Sequence, residues 1–205
     1  MKNRDMTVTG CLRPGFDRRM SKEEINERPI RKWTGPVHLV RSREQAGDAV
    51  EHLARESLLG FDTETRPAFR KGQRYLPSLL QLAGEKEVFI FQIRHLGLPR
   101  GVRSILADPA IIKAGVSPDF DVRELKKISP FREAGFVDLG RLARQAGIRN
   151  HGLRGLAAVL LGLRITKSAQ TSNWAQETLT PAQITYAATD AWISRRIYLA
   201  LKQLV

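Results

Sequence analysis

Residues 58–64 read LLGFDTE. The run is a strand in which side chains alternate faces, so Asp62 and Glu64 project together from its end. Outward from it, residues 79–83 and 88–93 read as two further strands, giving three in succession. Upstream, residues 37–40 form a short strand. Ser42 and Gln45 then make a capping box that opens a helix with the apolar stripe Ala46, Ala49, Val50 and Leu53. Downstream the pattern alternates: a helix over 102–106, a buried strand over 111–115 and a helix over 119–128. The remainder reads as helical, over 139–146, 153–161 and 181–203. The last helix has a well-marked start, with Thr180 as N-cap, Pro181 at the first position, Gln183 completing the box and Leu179 with Ile184 as a hydrophobic staple. Strands, then helix–strand–helix, then helices argue an α/β domain with a mixed central β-sheet flanked by helices, over residues 37–205.

The 205 residues suit one such domain with an appendage. Residues 1–36 are polar and punctuated by Gly10, Pro14, Gly15, Pro29, Gly35 and Pro36. They read as a basic N-terminal extension, partly irregular, with a short helix near 21–27. No accessory domain is expected after the last helix. The single cysteine, Cys11, excludes an internal disulfide framework and a cysteine-rich zinc site. No apolar run reaches the roughly 18–20 residues of a membrane span, and the N-terminus lacks the apolar core of a secretory signal. An intracellular, cytoplasmic protein with no membrane partner is the expectation.

Charge narrows the partners. Thirty-four Lys and Arg stand against 21 Asp and Glu, a net charge of +13. Of this, +4 lies in residues 1–36 and +9 in residues 37–205, so the excess belongs mostly to the folded part. Such a field favours polyanions, nucleic acid ahead of anionic membrane.

Three places hold candidate chemistry. Asp62 and Glu64 side by side repel one another unless a cation or donor answers them, although an isolated D-x-E also suits a solvated strand end. Tyr186 and Asp190, four apart on the last helix, extend a stripe continued by Ile193, Ile197 and Leu201. An inward carboxylate there needs a hydrogen-bond partner, a cation or a metal. Asp121 opens the helix after the fourth long strand, where it competes with Asp119 for a capping or dipole role. Four carboxylates converging at one sheet edge, with neither His nor Cys, suit Mg²⁺ or Mn²⁺. Two such ions clamp the attacking and leaving oxygens of a phosphodiester displacement. A basic protein with that centre is a nuclease candidate.

Three segments resemble the 3′–5′ exonucleases of the DEDDy group, within the ribonuclease H-like fold. GFDTE (60–64) is similar to exonuclease motif I, KAGVSPDFDVREL (113–125) to motif II and YAATD (186–190) to motif III in its tyrosine form. LPSLLQLA (76–83) and KSAQTSNWAQETLTPAQITYAATDA (167–191) resemble the ribonuclease D and Werner-protein branch. The resemblance implies metal binding by Asp62, Glu64, Asp121 and Asp190, with Asp62 bridging two ions and Asp121 reaching the second through water. It implies that Tyr186 orients the attacking water, since a phenol of pKa near 10 is a poor base at neutral pH. Alignment of KAGV selects Asp121 over Asp119. The implied reaction releases nucleoside 5′-monophosphates one by one from a single-stranded 3′ end of DNA or RNA. Where the Werner branch carries an aromatic shortly after the motif II acid, Val122 and Arg123 stand instead.

Beyond these, Arg66, Arg70, Lys71 and Arg74 surround Phe69 in a loop suited either to phosphate contact with base stacking or to a solvated loop with Phe69 on the core. Lys167 is a further phosphate candidate. Trp174 is expected in the core, His95 and His151 in structural or exposed places, and Arg195 and Arg196 on the surface. A catalytically weak nucleic-acid-binding or assembly module with the same fold is the alternative function.

Overall fold

The computed structural model of the chain describes residues 15–16, 18–70 and 72–204, so Cys11 and Lys71 lie outside the described residues. In chain order the elements are α1 (Lys22–Asn26), β1 (Val37–Val40), α2 (Arg43–Leu53), β2 (Leu58–Glu64), β3 (Leu79–Ala83), β4 (Val88–Phe91), α3 (Ile93–Leu96) and α4 (Arg100–Ala107). They continue with β5 (Ile112–Gly115), α5 (Pro118–Ile128), β6 (Phe136–Asp138), α6 (Leu139–Gln145), α7 (Leu153–Leu161) and α8 (Pro181–Lys202). The strands form one mixed sheet in the order β1-β4-β3-β2-β5-β6. β3 runs antiparallel to both β2 and β4, whereas β5 runs parallel to β2 and β6 parallel to β5.

The alternation of β2 assigns the two faces of this sheet. Leu59 and Phe61 enter a core with Leu53, Val102, Leu106 and Leu125, under α2, α4 and α5. Leu58 points the other way and packs with Ile193, Ile197 and Leu201 of α8. The stripe read on the last helix is therefore the sheet-facing stripe. Its capping box is formed as expected, with Thr180 Oγ1 accepting from Gln183 N–H, and Leu179 and Ile184 share one apolar cluster.

Two departures from the sequence reading concern strands. β4 ends at Phe91, and Ile93 instead opens the single turn α3, which Gly97 stops at φ 69°. After 128 the chain is not all helical, because Phe136–Asp138 adds β6 to the sheet edge beside Lys113 and Gly115 of β5. Three half-buried residues carry too little periodicity to signal a strand. β6 also hands over an acid with two tasks. Asp138 Oδ1 accepts from Gly140 N–H at 2.9 Å, capping α6, and from Ser117 N–H at 3.0 Å. Ser117 precedes α5 with φ 53°, the one positive φ outside glycine among the described residues.

The segment before β1 lies against the body of the protein. Met20 and Ile25 are buried with Ala158. Met20 N–H donates to Asn150 Oδ1 at 2.9 Å, and Asn150 Nδ2 donates back to Met20 O at 3.2 Å. Ser21 and Glu24 close a capping box around α1, and Arg18 grips Glu24 through both carboxylate oxygens at 2.5 and 2.9 Å. Further along, Ile30 bridges to Arg164 and Trp33 N–H reaches Thr189 Oγ1 at 3.0 Å. No helix among the described residues is long and apolar enough to cross a membrane.

Candidate active site

Asp62 and Glu64 continue the face of β2 that Gly60 presents to α8. A Cβ built on Gly60 would lie 1.9 Å from Ala191 O, so helix and strand touch backbone to backbone there. The small side chains Ala187, Ala188 and Ala191 let α8 settle that close. This approach brings Asp190, 6% exposed, over the end of β2. One carboxylate oxygen from each of Asp62, Glu64 and Asp190 lies within 4.8 Å of the others. Three hard oxygens at that spacing form a cluster able to bind a metal ion.

Asp121 reaches the same strand end from the opposite face. Thr63, whose side chain points away from α8, donates its hydroxyl to Asp121 Oδ1 at 2.6 Å. Asp121 stands outside the close triad, yet its charge acts on both Asp62 and Glu64. The competing Asp119 is exposed. Tyr186, one turn before Asp190 on α8, is buried and faces its carboxylate closely enough to favour the charged form.

The electrostatics are those of a charge cluster lacking its counterion. Burial first, then the charges of Asp190 and Asp121, hold the Asp62 carboxyl well above the usual carboxylate range. Burial and Asp62 push Glu64 up to about 10. Burial raises Asp190 to about 7 against the opposing hydrogen bond of Tyr186. Burial also raises Asp121, with the Thr63 hydroxyl working against it. Tyr186 is raised as well, by burial and then by the neighbouring acids, so its phenol stays protonated at neutral pH. Asp190 Oδ1 is buried with no hydrogen-bond partner among the described residues. A cation fits this donor set, since it would satisfy the orphaned oxygen and lower every one of these carboxylate pKa values.

A stability prediction follows. The acids titrate near pH 4 in the unfolded chain, so between about 4 and their folded values the metal-free folded protein holds the extra protons. Its stability therefore falls as pH rises through 7, the Asp190 value, towards 10, that of Glu64. Millimolar Mn²⁺ should raise Tm at pH 8 and do little at pH 4, where protons occupy the carboxylates. Thermal melts with and without Mn²⁺ at the two pH values check this, and a metal response equal at both would contradict it.

The bases sort into separate places. Lys167 lines a cavity of about 590 Å³ that reaches Tyr186 and Asp190. Arg66 and Arg74 line another of about 380 Å³, which none of the four acids borders, and Arg66 stacks over the Tyr75 ring at 4.9 Å. Arg70 is exposed, and Lys71 lies outside the described residues. Phe69 is 84% exposed, so it does not tuck onto the core. Trp174 is in the core as expected, His95 is exposed, and the His151 ring meets Ile148 O at 2.9 Å. Arg195 corrects its surface reading: its side chain is largely buried, donates to Leu58 O at 3.2 Å and lies 3.7 Å from Glu56. It thereby pins α8 to the start of β2. Arg196 lies over the Trp192 ring at 5.3 Å.

Some site residues escaped the sequence reading. Gln81, directly across from Asp62 in the ladder, is 0% exposed, and neither amide atom finds a partner among the described residues. Its signal is a lone amide inside LLQLA. Phe120, beside Asp121 and 59% exposed with Arg123 over its ring at 5.8 Å, supplies an aromatic just before that acid. Thr63 was hidden between two conspicuous acids.

The chain resembles known proteins in sequence and in fold. Residues 37–205 match the 3′–5′ exonuclease family. The human exonuclease mut-7 homolog is 32% identical over 197 residues, covering 80% of this chain and 22% of that protein. Ribonuclease D of Gluconacetobacter diazotrophicus is 32% identical over 169 residues, covering 80% of this chain and 42% of that protein. The chain thus spans less than half the length of either relative. Among solved structures, the Aedes aegypti Nibbler EXO domain superposes with a TM-score of 0.74 at 27% identity, over 82% of this chain and 87% of that one. Escherichia coli RNase D shares the fold, with a TM-score of 0.69 over 82% of this chain and 45% of that one. The sheet order and these neighbours bear out the ribonuclease H-like fold. With motif-bearing strand and helix meeting in an acid cluster, and with the match running from β1 to the last residue, the chain belongs to the 3′–5′ exonuclease family.

Proposed function

We propose that this chain hydrolyses phosphodiester bonds from the 3′ end of DNA or RNA and releases nucleoside 5′-monophosphates. The observation that carries the reading is the convergence of Asp62, Glu64 and Asp190 within 4.8 Å, with Asp121 tethered beside them. In this reading Asp62, Glu64, Asp121 and Asp190 hold two divalent cations, Mg²⁺ or Mn²⁺. When bound, such ions lower the pKa of water and stabilise charge on the attacking and leaving oxygens.

The protein's own residues supply position. Tyr186 keeps its proton and offers an O–H beside Asp190, so it orients the attacking water instead of deprotonating it. Water oxygen bonds to phosphorus and gives up one proton to solvent, the bond from phosphorus to the preceding 3′ oxygen breaks, and that oxygen takes up a proton from solvent. The phosphate stays on the released nucleotide as its 5′ group. Gly60 and the alanines of α8 keep the acids in register, and Thr63 fixes the rotamer of Asp121.

Tyr186→Phe should lower kcat about a hundredfold while changing strand affinity little, because it removes orientation and leaves the pocket filled. Single-turnover rates beside equilibrium binding check this, and equal losses in both would make Tyr186 a packing residue. The function itself is tested with 5′-labelled single strands, 3′-recessed duplex and matched RNA, each with Mn²⁺ and with EDTA. A metal-dependent ladder shortening from the 3′ end supports the reading. Binding without shortening on every substrate would replace it with a nucleic-acid-binding module.

A further inference from the structure

The cavity of about 590 Å³ that opens onto Tyr186 and Asp190 is bordered on one side by Arg19, Met20, Ser21, Lys22 and Ile25. These residues precede the span shared with the family, which begins at 37. On the other side stand Arg154 and Lys167 of the shared span. Four bases thus face a space whose one lining acid is Asp190. None of the four makes an ion pair with a carboxylate among the described residues. Arg154 is instead aimed by Asn26 Oδ1, which accepts from its Nη2, while its Nε is buried without a partner among the described residues. The same N-terminal segment, through Arg31 and Lys32, borders a second cavity of about 330 Å³ that also reaches Tyr186 and Asp190.

This segment is built to hold its place. The two-way bond between Met20 and Asn150, the burial of Met20 and Ile25, and the Arg18 grip on Glu24 fix it against α7. The exposed bases Arg19 and Lys22 carry no part of that anchorage. Their remaining chemistry is attraction for an anion in the cavity. A volume of this size, within the roughly 300–1,000 Å³ of a small-ligand pocket, has room for a nucleotide.

We propose that residues 19–25 form the outer wall of a single-strand path, in which backbone phosphates pass between Arg19 and Lys22 on the wall and Arg154 and Lys167 on the body. The proposal rests on the exonuclease reading for the direction of the path, which delivers the 3′ terminus to Tyr186 and Asp190. It makes the basic extension part of the substrate site, and it sets aside Arg66 and Arg74, whose cavity the acids do not border.

The test measures affinity for a short 5′-labelled single-stranded oligonucleotide against salt, with Asp62→Asn as background so that the strand stays intact. Each phosphate contact on a single strand contributes about 0.7 to the slope of log affinity against log salt. Arg19→Ala with Lys22→Ala should flatten the slope by about 1.4 and weaken binding roughly tenfold. In the otherwise native chain the same pair should raise KM far more than it lowers kcat. Arg66→Ala with Arg74→Ala should leave the slope as it was. A flattened slope in the second pair alone, or equal losses in both, would overturn the proposal in favour of another path or a diffuse attraction. Failure of the native chain to shorten any strand would overturn the exonuclease reading, while the two slopes still decide where the strand lies.

Discussion

Asp62→Asn should abolish strand shortening, lowering the rate by about a thousandfold or more while the protein still folds and still binds a single strand. Asp62 sits among like charges, with Asp190 and Asp121 both raising its pKa beyond the effect of burial. An amide keeps the shape and removes the charge, so a cation loses the carboxylate that lies between the other two elements. Removing one of several crowded carboxylates also relieves repulsion, and the variant should melt higher than the native chain in EDTA above pH 7, where these acids begin to ionise. With Mn²⁺ the order should reverse. Residual activity near the native level would mean that the cluster is not where hydrolysis occurs.

Gly60→Ala carries the largest expected cost in stability. The new methyl would meet Ala191 O at 1.9 Å and backbone atoms of both Ala191 and Arg195 at 2.9 Å. None of these is the end of a flexible side chain. α8 must lift from β2, at about 3 kcal/mol or more. Lifting α8 also parts Asp190 from Asp62, so activity should fall even in the fraction that stays folded. Chemical denaturation measures the first effect and single-turnover hydrolysis at low temperature the second. A variant as stable as the native chain would show that helix and strand pack less closely than described.

Much of this was legible in the sequence because local chemistry and long-range packing agree. The alternation in LLGFDTE put Asp62 and Glu64 on one face, and the stripe through Ile193 and Ile197 showed which way Asp190 turns. The capping boxes at Ser42 and Thr180 fixed two helix starts. What escaped has a common cause, dependence on a distant partner. β6 is a strand only because β5 lies beside it. Arg195 is charged and reads as surface, and only the distant Leu58 carbonyl and Glu56 make it a buried tie. The wall at Arg19 and Lys22 was legible as charge, but its place over the cavity depends on Asn150, far along the chain. The loop bases Arg66 and Arg74 stood close to motif I in sequence and still came to border a different cavity.

Asp138 has a consequence for anyone who exchanges parts between members of this family. Its one oxygen holds the left-handed turn at Ser117 as well as the start of α6. That turn aims the first turn of α5, where Asp121 sits. A chimera that swaps the edge strand and its following helix for those of a relative therefore carries a hidden alignment pin in or out with it. Grafts cut before residue 136 and after the helix should keep Asp121 in place only when the incoming segment brings an acid to the position of Asp138.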